Sequence, residues 1–225
     1  MEPVHFRPLL FSALTCLSAA FTTARAETLT LDDGASPIAV SFDGDTGRMS
    51  VKVKATGMVW KNPESGGDAL KLTAAKQAGP LRIEADAMTN RNVSLKIGVA
   101  LDPSTGDVTV TLGGDPKTEM AGGVDYPYAF FPEDGSGYAV LPFFSGYVVP
   151  TTEKGWRART THSREEWYGG VDSKFNQGWM CIGDPAADME LTVAGDMVGD
   201  RERLGGVFHW LGSNANPAMD SNRLL

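Results

Sequence analysis

The sequence predicts an all-β protein, an antiparallel two-sheet β-sandwich or supersandwich with little helix. Short runs alternate apolar and polar residues at the two-residue period of a half-buried strand, as in TLTLD, PIAVSFD and RMSVKVK. Turn sequences separate these runs. The 26 glycines and 13 prolines recur too often for a long helix. About a dozen short strands in one chain imply two packed sheets rather than a single open one.

In chain order, residues 1–26 come first. MEPVHFRP, LLFSALTCLSAAF and TTARA form a short basic segment, an apolar stretch and an A-x-A-type site, the pattern of a secretory signal cut after Ala26. The apolar stretch is shorter than the roughly 20 residues a membrane span needs, although an uncleaved anchor is the alternative. Cys16 follows Ala13 and Thr15, a poor match to a lipoprotein box. The expected destination is therefore secreted or periplasmic, with no membrane association after cleavage.

Residues 27–212 are expected to form the β domain. The runs 28–32, 37–43 and 48–54 are its first strands, and GDTG between the last two suits a tight hairpin. LRIEADAM (81–88), VSLKIGVALD (93–102) and DVTVTL (107–112) follow, the last two joined by the turn PSTG. DALKLTAAKQ (68–77) has the composition of a helical turn or two. GYAVLPF, GYVVP, EEWYGGV, GWMCIG, MELTVAG and GVFHWL are the later strands, weaker in alternation and richer in aromatics. Residues 213–225 read as a polar tail without a closing element, either disordered or the mark of a truncation.

Charge and cysteine usage narrow the function. The formal charge is −8, and removing Glu2, Arg7 and Arg25 with residues 1–26 takes it to −9, which disfavours nucleic acid and anionic lipid. The same cut leaves Cys181 as the single cysteine, so the fold must rest on its hydrophobic core rather than on an internal disulfide.

Candidate chemistry is sparse. Glu133 and Asp134, Glu165 and Glu166, and Asp172 lie near aromatics, where a carboxylate pair about 5 to 10 Å apart could hydrolyse a glycoside. PEDG is an evident turn and REEWYGG a strand start, so these read as solvated turn acids and no catalytic role is assigned. His162 and His209 stand far apart, His5 leaves with the signal, and no H-E-x-x-H, G-x-S-x-G, P-loop or dinucleotide motif is present. No cofactor or metal is expected. Asp43 and Asp45 begin like a calcium loop but lack the distal glutamate, and a hairpin explains them. Asn92-Val93-Ser94 is a formal glycosylation sequon.

The aromatics are the strongest signal. Trp156, Trp167, Tyr168 and Trp179 are interleaved with Arg157, Arg159 and Arg164. Such rings either fill the space between sheets, cover a seam against another domain, or pack on the C–H faces of a sugar. If a sugar binds, Trp156, Trp167 and Tyr168 are the residues expected to carry it.

The stretch VDYPYAFFPEDGSGYAVLPFFSGYVVP, followed by EEWYGGVDSKFNQGWMCIGDPAADMELTV, resembles the N-terminal β-supersandwich of secreted glycoside hydrolases related to endo-α-N-acetylgalactosaminidase. The matching positions are Tyr126-Pro127, Asp134-Gly135, Leu141-Pro142, Gly146 and Pro150, then Trp167 to Val171 and Met180 to Asp188; FDGDTGRMSV is similar to that group's opening hairpin. The resemblance implies a galactose mutarotase-like sandwich normally followed by a (β/α)₈ barrel that holds the catalytic carboxylates. No position here matches one of those carboxylates, and no βα alternation begins.

The sequence thus supports a carbohydrate-associated, non-catalytic domain of an exported glycoside hydrolase, its partner being a catalytic barrel absent from this chain. A free-standing carbohydrate-binding module and a small carboxylate-dependent glycosidase are the alternatives.

Overall fold

The computed structural model describes residues 27–64, 70–114, 124–133, 137–142, 146–153, 157–159, 167–175, 177–183, 189–194, 206–210 and 219–224, with the backbone alone for 157–159, 183, 189–194, 206–210 and 219–224. Every element assigned in these residues is a strand, and all pairings are antiparallel. The strands form three sheets where the sequence suggested two.

The first sheet contains β1 (Thr28–Leu31), β2 (Ile38–Asp43), β3 (Met49–Val53), β4 (Val59–Lys61) and β10 (Phe131–Pro132), in the order β1-β2-β3-β4-β10. The second, of nine strands, contains β5 (Leu70–Gly79), β6 (Arg82–Thr89), β7 (Ser94–Leu101), β8 (Val108–Gly114), β11 (Tyr138–Leu141), β12 (Tyr147–Pro150), β14 (Trp167–Val171), β15 (Gly178–Gly183) and β18 (Met219–Leu224). Its order is β12-β11-β14-β15-β18-β8-β7-β6-β5. The third contains β9 (Val124–Asp125), β13 (Arg157–Arg159), β16 (Met189–Ala194) and β17 (Gly206–Trp210), in the order β13-β16-β17-β9.

Two expectations need correction. Residues 70–77 of DALKLTAAKQ form strand rather than a helical turn: β5 is an edge strand along β6 with two register shifts, tied to β1 by Gln77 Nε2 donating to the Thr30 carbonyl at 2.9 Å. Its Ala, Leu and Lys favour helix locally, and pairing with β6 overrides that preference. Residues 219–224 of the expected tail form β18, which pairs with β15 on one side and β8 on the other.

The hairpins that set the register share a turn. In DGDTGR (43–48), VKATGM (53–58) and DPSTGD (102–107), the first residue's N–H donates to the last residue's carbonyl at 2.8–2.9 Å, and the glycine N–H donates back to the first carbonyl. The glycines, Gly47, Gly57 and Gly106, have φ of 68°, 74° and 82°, the left-handed region that favours glycine. Each preceding threonine accepts the last residue's N–H on Oγ1 at 3.2–3.3 Å. In the first turn Asp43 Oδ1 accepts from the N–H groups of Asp45 and Thr46, so its carboxylate caps a hairpin.

Alternation then builds the core. Leu29, Leu31, Val40 and Phe42 face inward from the first sheet; across from them β6, β7 and β8 present the registered rows Ile83, Val99, Val110 and Ala85, Ile97, Leu112. Removing each large side chain from water stabilises the fold by roughly 1.5–3 kcal/mol. The segment 126–132, YPYAFFP, is buried throughout and lies over the end of the first sheet. Asn62 secures it: its Oδ1 accepts from Met49 N–H at 2.7 Å, and its Nδ2 donates to the carbonyls of Tyr128 and Ala129 at 2.8 and 3.0 Å. Tyr126 Oη donates to the Gly47 carbonyl, and the Arg48 guanidinium lies 5.0 Å from the Tyr128 ring centre.

The turn carboxylates make stability pH-dependent. The Asp32 carboxyl is held below its ordinary range by hydrogen bonding from Lys54, and the Asp102 carboxyl by Ser104. Partial burial raises the Asp43 pKa, but hydrogen bonds from Thr46 and Asp45 outweigh it and leave the group lowered. Such groups stabilise the fold above the unfolded value, near 3.9, and lose that contribution as pH falls through the lower folded value. The thermal midpoint is expected to stay level from about pH 7 to 5 and to fall below about pH 4. The paired substitutions Asp43→Asn and Asp102→Asn should shrink the acid loss; a midpoint that rises on acidification contradicts this assignment.

Candidate functional site

The aromatic region is organised by the pleat of β14. Consecutive residues of a strand point to opposite faces, so Trp167 and Tyr168 cannot share one surface. Tyr168 is 1% exposed and belongs to the core, where its ring meets Trp179 edge to face at 5.2 Å. Trp179 also meets Phe130 at 5.7 Å and Trp60 at 6.1 Å, both edge to face. These rings therefore fill the space between the sheets. Tyr168 is corrected from a candidate sugar contact to a core residue, while Trp167 lies half-buried on the outer face. Trp156 lies outside the described residues.

The two glycines of WYGG permit this packing. A Cβ on Gly169 would lie 2.4 Å from the Trp179 carbonyl oxygen, and one on Gly170 would lie 2.6 Å from Trp179 Nε1. Neither position has room for a side chain. A small apolar pocket of about 80 Å³ opens beside this cluster, walled by Trp60, Phe130 and Trp179.

The candidate carboxylates divide. Glu133 is exposed and pairs with Lys61 at 3.5 Å. Asp172 was expected to be solvated, yet it is fully buried: its Oδ2 accepts from the N–H groups of Lys174 and Phe175, capping the β14–β15 turn. Residues 134, 165 and 166 lie outside the described residues, as does residue 162; His209 is described by its backbone in β17. Cys181 is buried opposite Tyr168, and burial pushes its thiol pKa up. Among the described residues, no group of three or more His, Cys, Asp or Glu could hold a metal ion, and no helix is long and apolar enough to cross a membrane.

The outer face of the nine-stranded sheet has two chemically distinct halves. On β5 to β8 it carries Lys76, Arg82, Glu84, Asp86, Lys96 and Thr111, which line an open groove of about 480 Å³. Glu84 pairs there with Lys76 and Arg82 at 3.5 and 3.3 Å. On β12, β11, β14 and β15 the registered row is Val148, Val140, Gly169 and Met180. Trp167 and Val171 flank that row and, with Val140, Gly169 and Met180, line a shallow open groove. Sequence reading missed this split, although the alternation of YAVL and WYGGV carries it.

No protein-family model matches the sequence, and no curated protein does either. Solved structures do match in fold. The ligand-free α-N-acetylgalactosaminidase NagBb from Bifidobacterium bifidum aligns with a TM-score of 0.66 at 11% identity, over 88% of this chain and 35% of that one. Its GalNAc complex aligns with a TM-score of 0.64 at 12% identity, over the same shares. The chain shares its fold with part of that enzyme. It spans about a third of the enzyme's length, and at this identity the likeness is one of architecture.

The two faces of β14 predict opposite mutational outcomes. Tyr168→Ala removes a buried ring and should cost about 3–5 kcal/mol in urea unfolding. Trp167→Ala should cost about 1 kcal/mol. Equal losses would show that both rings are core.

Proposed function

We propose that this chain is a carbohydrate-associated, non-catalytic β-sandwich unit of an exported glycoside hydrolase whose catalytic domain is not in these residues. The observation that carries the reading is the fold shared with 35% of an α-N-acetylgalactosaminidase across 88% of this chain. The placement of the two described acids agrees with it: Glu133 is engaged by Lys61 and Asp172 caps a turn. Export rests on the pattern of residues 1–26.

A second reading, a free-standing carbohydrate-binding module, draws on Trp167 and on Tyr138, which is 41% exposed. It requires sugar to stack on the outer face.

Both readings meet in one experiment on the purified chain. With aryl glycosides including an α-N-acetylgalactosaminide, turnover should not exceed the uncatalysed rate. Turnover abolished by Glu133→Gln or Glu165→Gln would overturn the non-catalytic reading. In calorimetry with N-acetylgalactosamine and larger glycans, saturable heat lost in Trp167→Ala would establish the module instead.

A further inference from the structure

The polar half of the nine-stranded sheet is concave. Two register shifts bracket Ala74 to Lys76 in β5, and bulges bend the strand that carries them, so this edge forms a wall of the groove. The floor has little side chain. Gly98 faces outward from β7 in unbroken register with both neighbours, and Gly113 faces outward from β8. A glycine inside a strand weakens it and, where no bulge calls for it, marks the close approach of another group. At Gly98 that group is Thr111, whose hydroxyl donates to the Gly98 carbonyl at 3.4 Å and would lie 2.4 Å from a Cβ. At Gly113 no protein group approaches: a Cβ there would meet nothing within 4 Å. The walls carry charge. Glu84 is held between Lys76 and Arg82, whereas Asp86 and Lys96 stand opposite each other in register with no partner for either side chain among the described residues.

We propose that this groove is a binding site for an uncharged saccharide, held over Gly113 with its hydroxyls on Asp86, Lys96 and Thr111. The proposal rests on the carbohydrate-associated reading above and adds the place, on the polar half of the sheet rather than beside Trp167. Chemistry selects the ligand class. A peptide added as a strand needs free backbone groups, but the groove lies on the face of β6 and β7, whose backbone is paired on both sides. A polyanion is repelled by the formal charge of −8 and by the two carboxylates in the groove. An apolar ligand would strip water from charged side chains without replacing their hydrogen bonds. A sugar meets both demands: each hydroxyl donates and accepts, which suits a carboxylate, an ammonium and a hydroxyl side by side, and its C–H face can lie on a floor of small residues and on the methylene stem of Lys96. The groove volume, about 480 Å³, falls within the roughly 300–1,000 Å³ of small-molecule sites.

The test is an array of neutral and sialylated glycans probed with the purified chain, followed by calorimetric titration of a retained neutral oligosaccharide. Gly113→Val is the decisive variant. Its side chain enters open space, so the thermal midpoint should hold or rise while binding is abolished. Asp86→Ala and Lys96→Ala should each weaken binding about ten-fold or more, the loss of one hydrogen bond to a charged group. Trp167→Ala should leave the affinity unchanged. Retention of no glycan overturns the groove and leaves the non-catalytic structural unit standing. Binding that survives Gly113→Val, or that is lost in Trp167→Ala alone, also overturns it and moves the sugar to the other half of the sheet. Retention of sialylated glycans alone contradicts the uncharged ligand. Turnover of an aryl glycoside, with binding still lost in Gly113→Val, supports the groove while removing the non-catalytic reading.

Discussion

The carboxamide of Asn62 holds together two parts of the chain that share only a two-residue ladder. Segment 126–132 contributes Tyr126, Tyr128, Phe130 and Phe131 to the interior but has only a two-residue strand, β10, to pair with the first sheet. Buried carbonyls at Tyr128 and Ala129 would otherwise be costly, since a buried polar group without a partner loses roughly 1–3 kcal/mol. Asn62 supplies both donors and uses its own oxygen for Met49 N–H. The aromatic segment is thereby fixed against β3 and β4. Its Phe130 then meets Trp179, and through that ring the segment is coupled to Tyr168 and to the far half of the large sheet.

That coupling explains why the outer surface is chemically divided. The inner side of β14 and β15 is committed to the core by Tyr168, Trp179 and Cys181, so alternation leaves Trp167, Val171 and Met180 outside. On β6 to β8 the same alternation leaves charged and hydroxylated residues outside, as expected of a solvated face. One sheet thus presents a polar half and an apolar half. Among the described residues, Phe42, Trp60, Tyr126, Tyr128, Phe130, Phe131 and Tyr168 belong to the interior, whereas Tyr138, Tyr147 and Phe175 are exposed.

Much of this was legible in the sequence, and the failures have physical causes. Strands β1 to β3 and β6 to β8 follow the alternation expected of them, and GDTG and PSTG form the hairpins. KATG makes the same turn through the same Thr-Gly chemistry. The segment DALKLTAAKQ misleads because edge pairing outweighs a local preference worth tenths of a kcal/mol per residue. Strand β18 is hidden by polar composition and by partners, β8 and β15, far away in sequence. Asp172 looks like a solvated turn acid until the turn folds inward, where backbone donors satisfy its Oδ2. Tyr168 looks like part of a surface cluster in the sequence, yet the strand pleat sends it to the face opposite Trp167 and into the core.

The most direct test of this account is urea unfolding of Asn62→Ala, followed by the fluorescence of the buried tryptophans. With three partners left unsatisfied, a loss of roughly 3 kcal/mol or more is predicted, and Asn62→Asp, which cannot donate to the two carbonyls, should be comparably damaging. A loss below about 1 kcal/mol would show that segment 126–132 is held by ring packing alone and that the carboxamide is not the tie on which the interior depends.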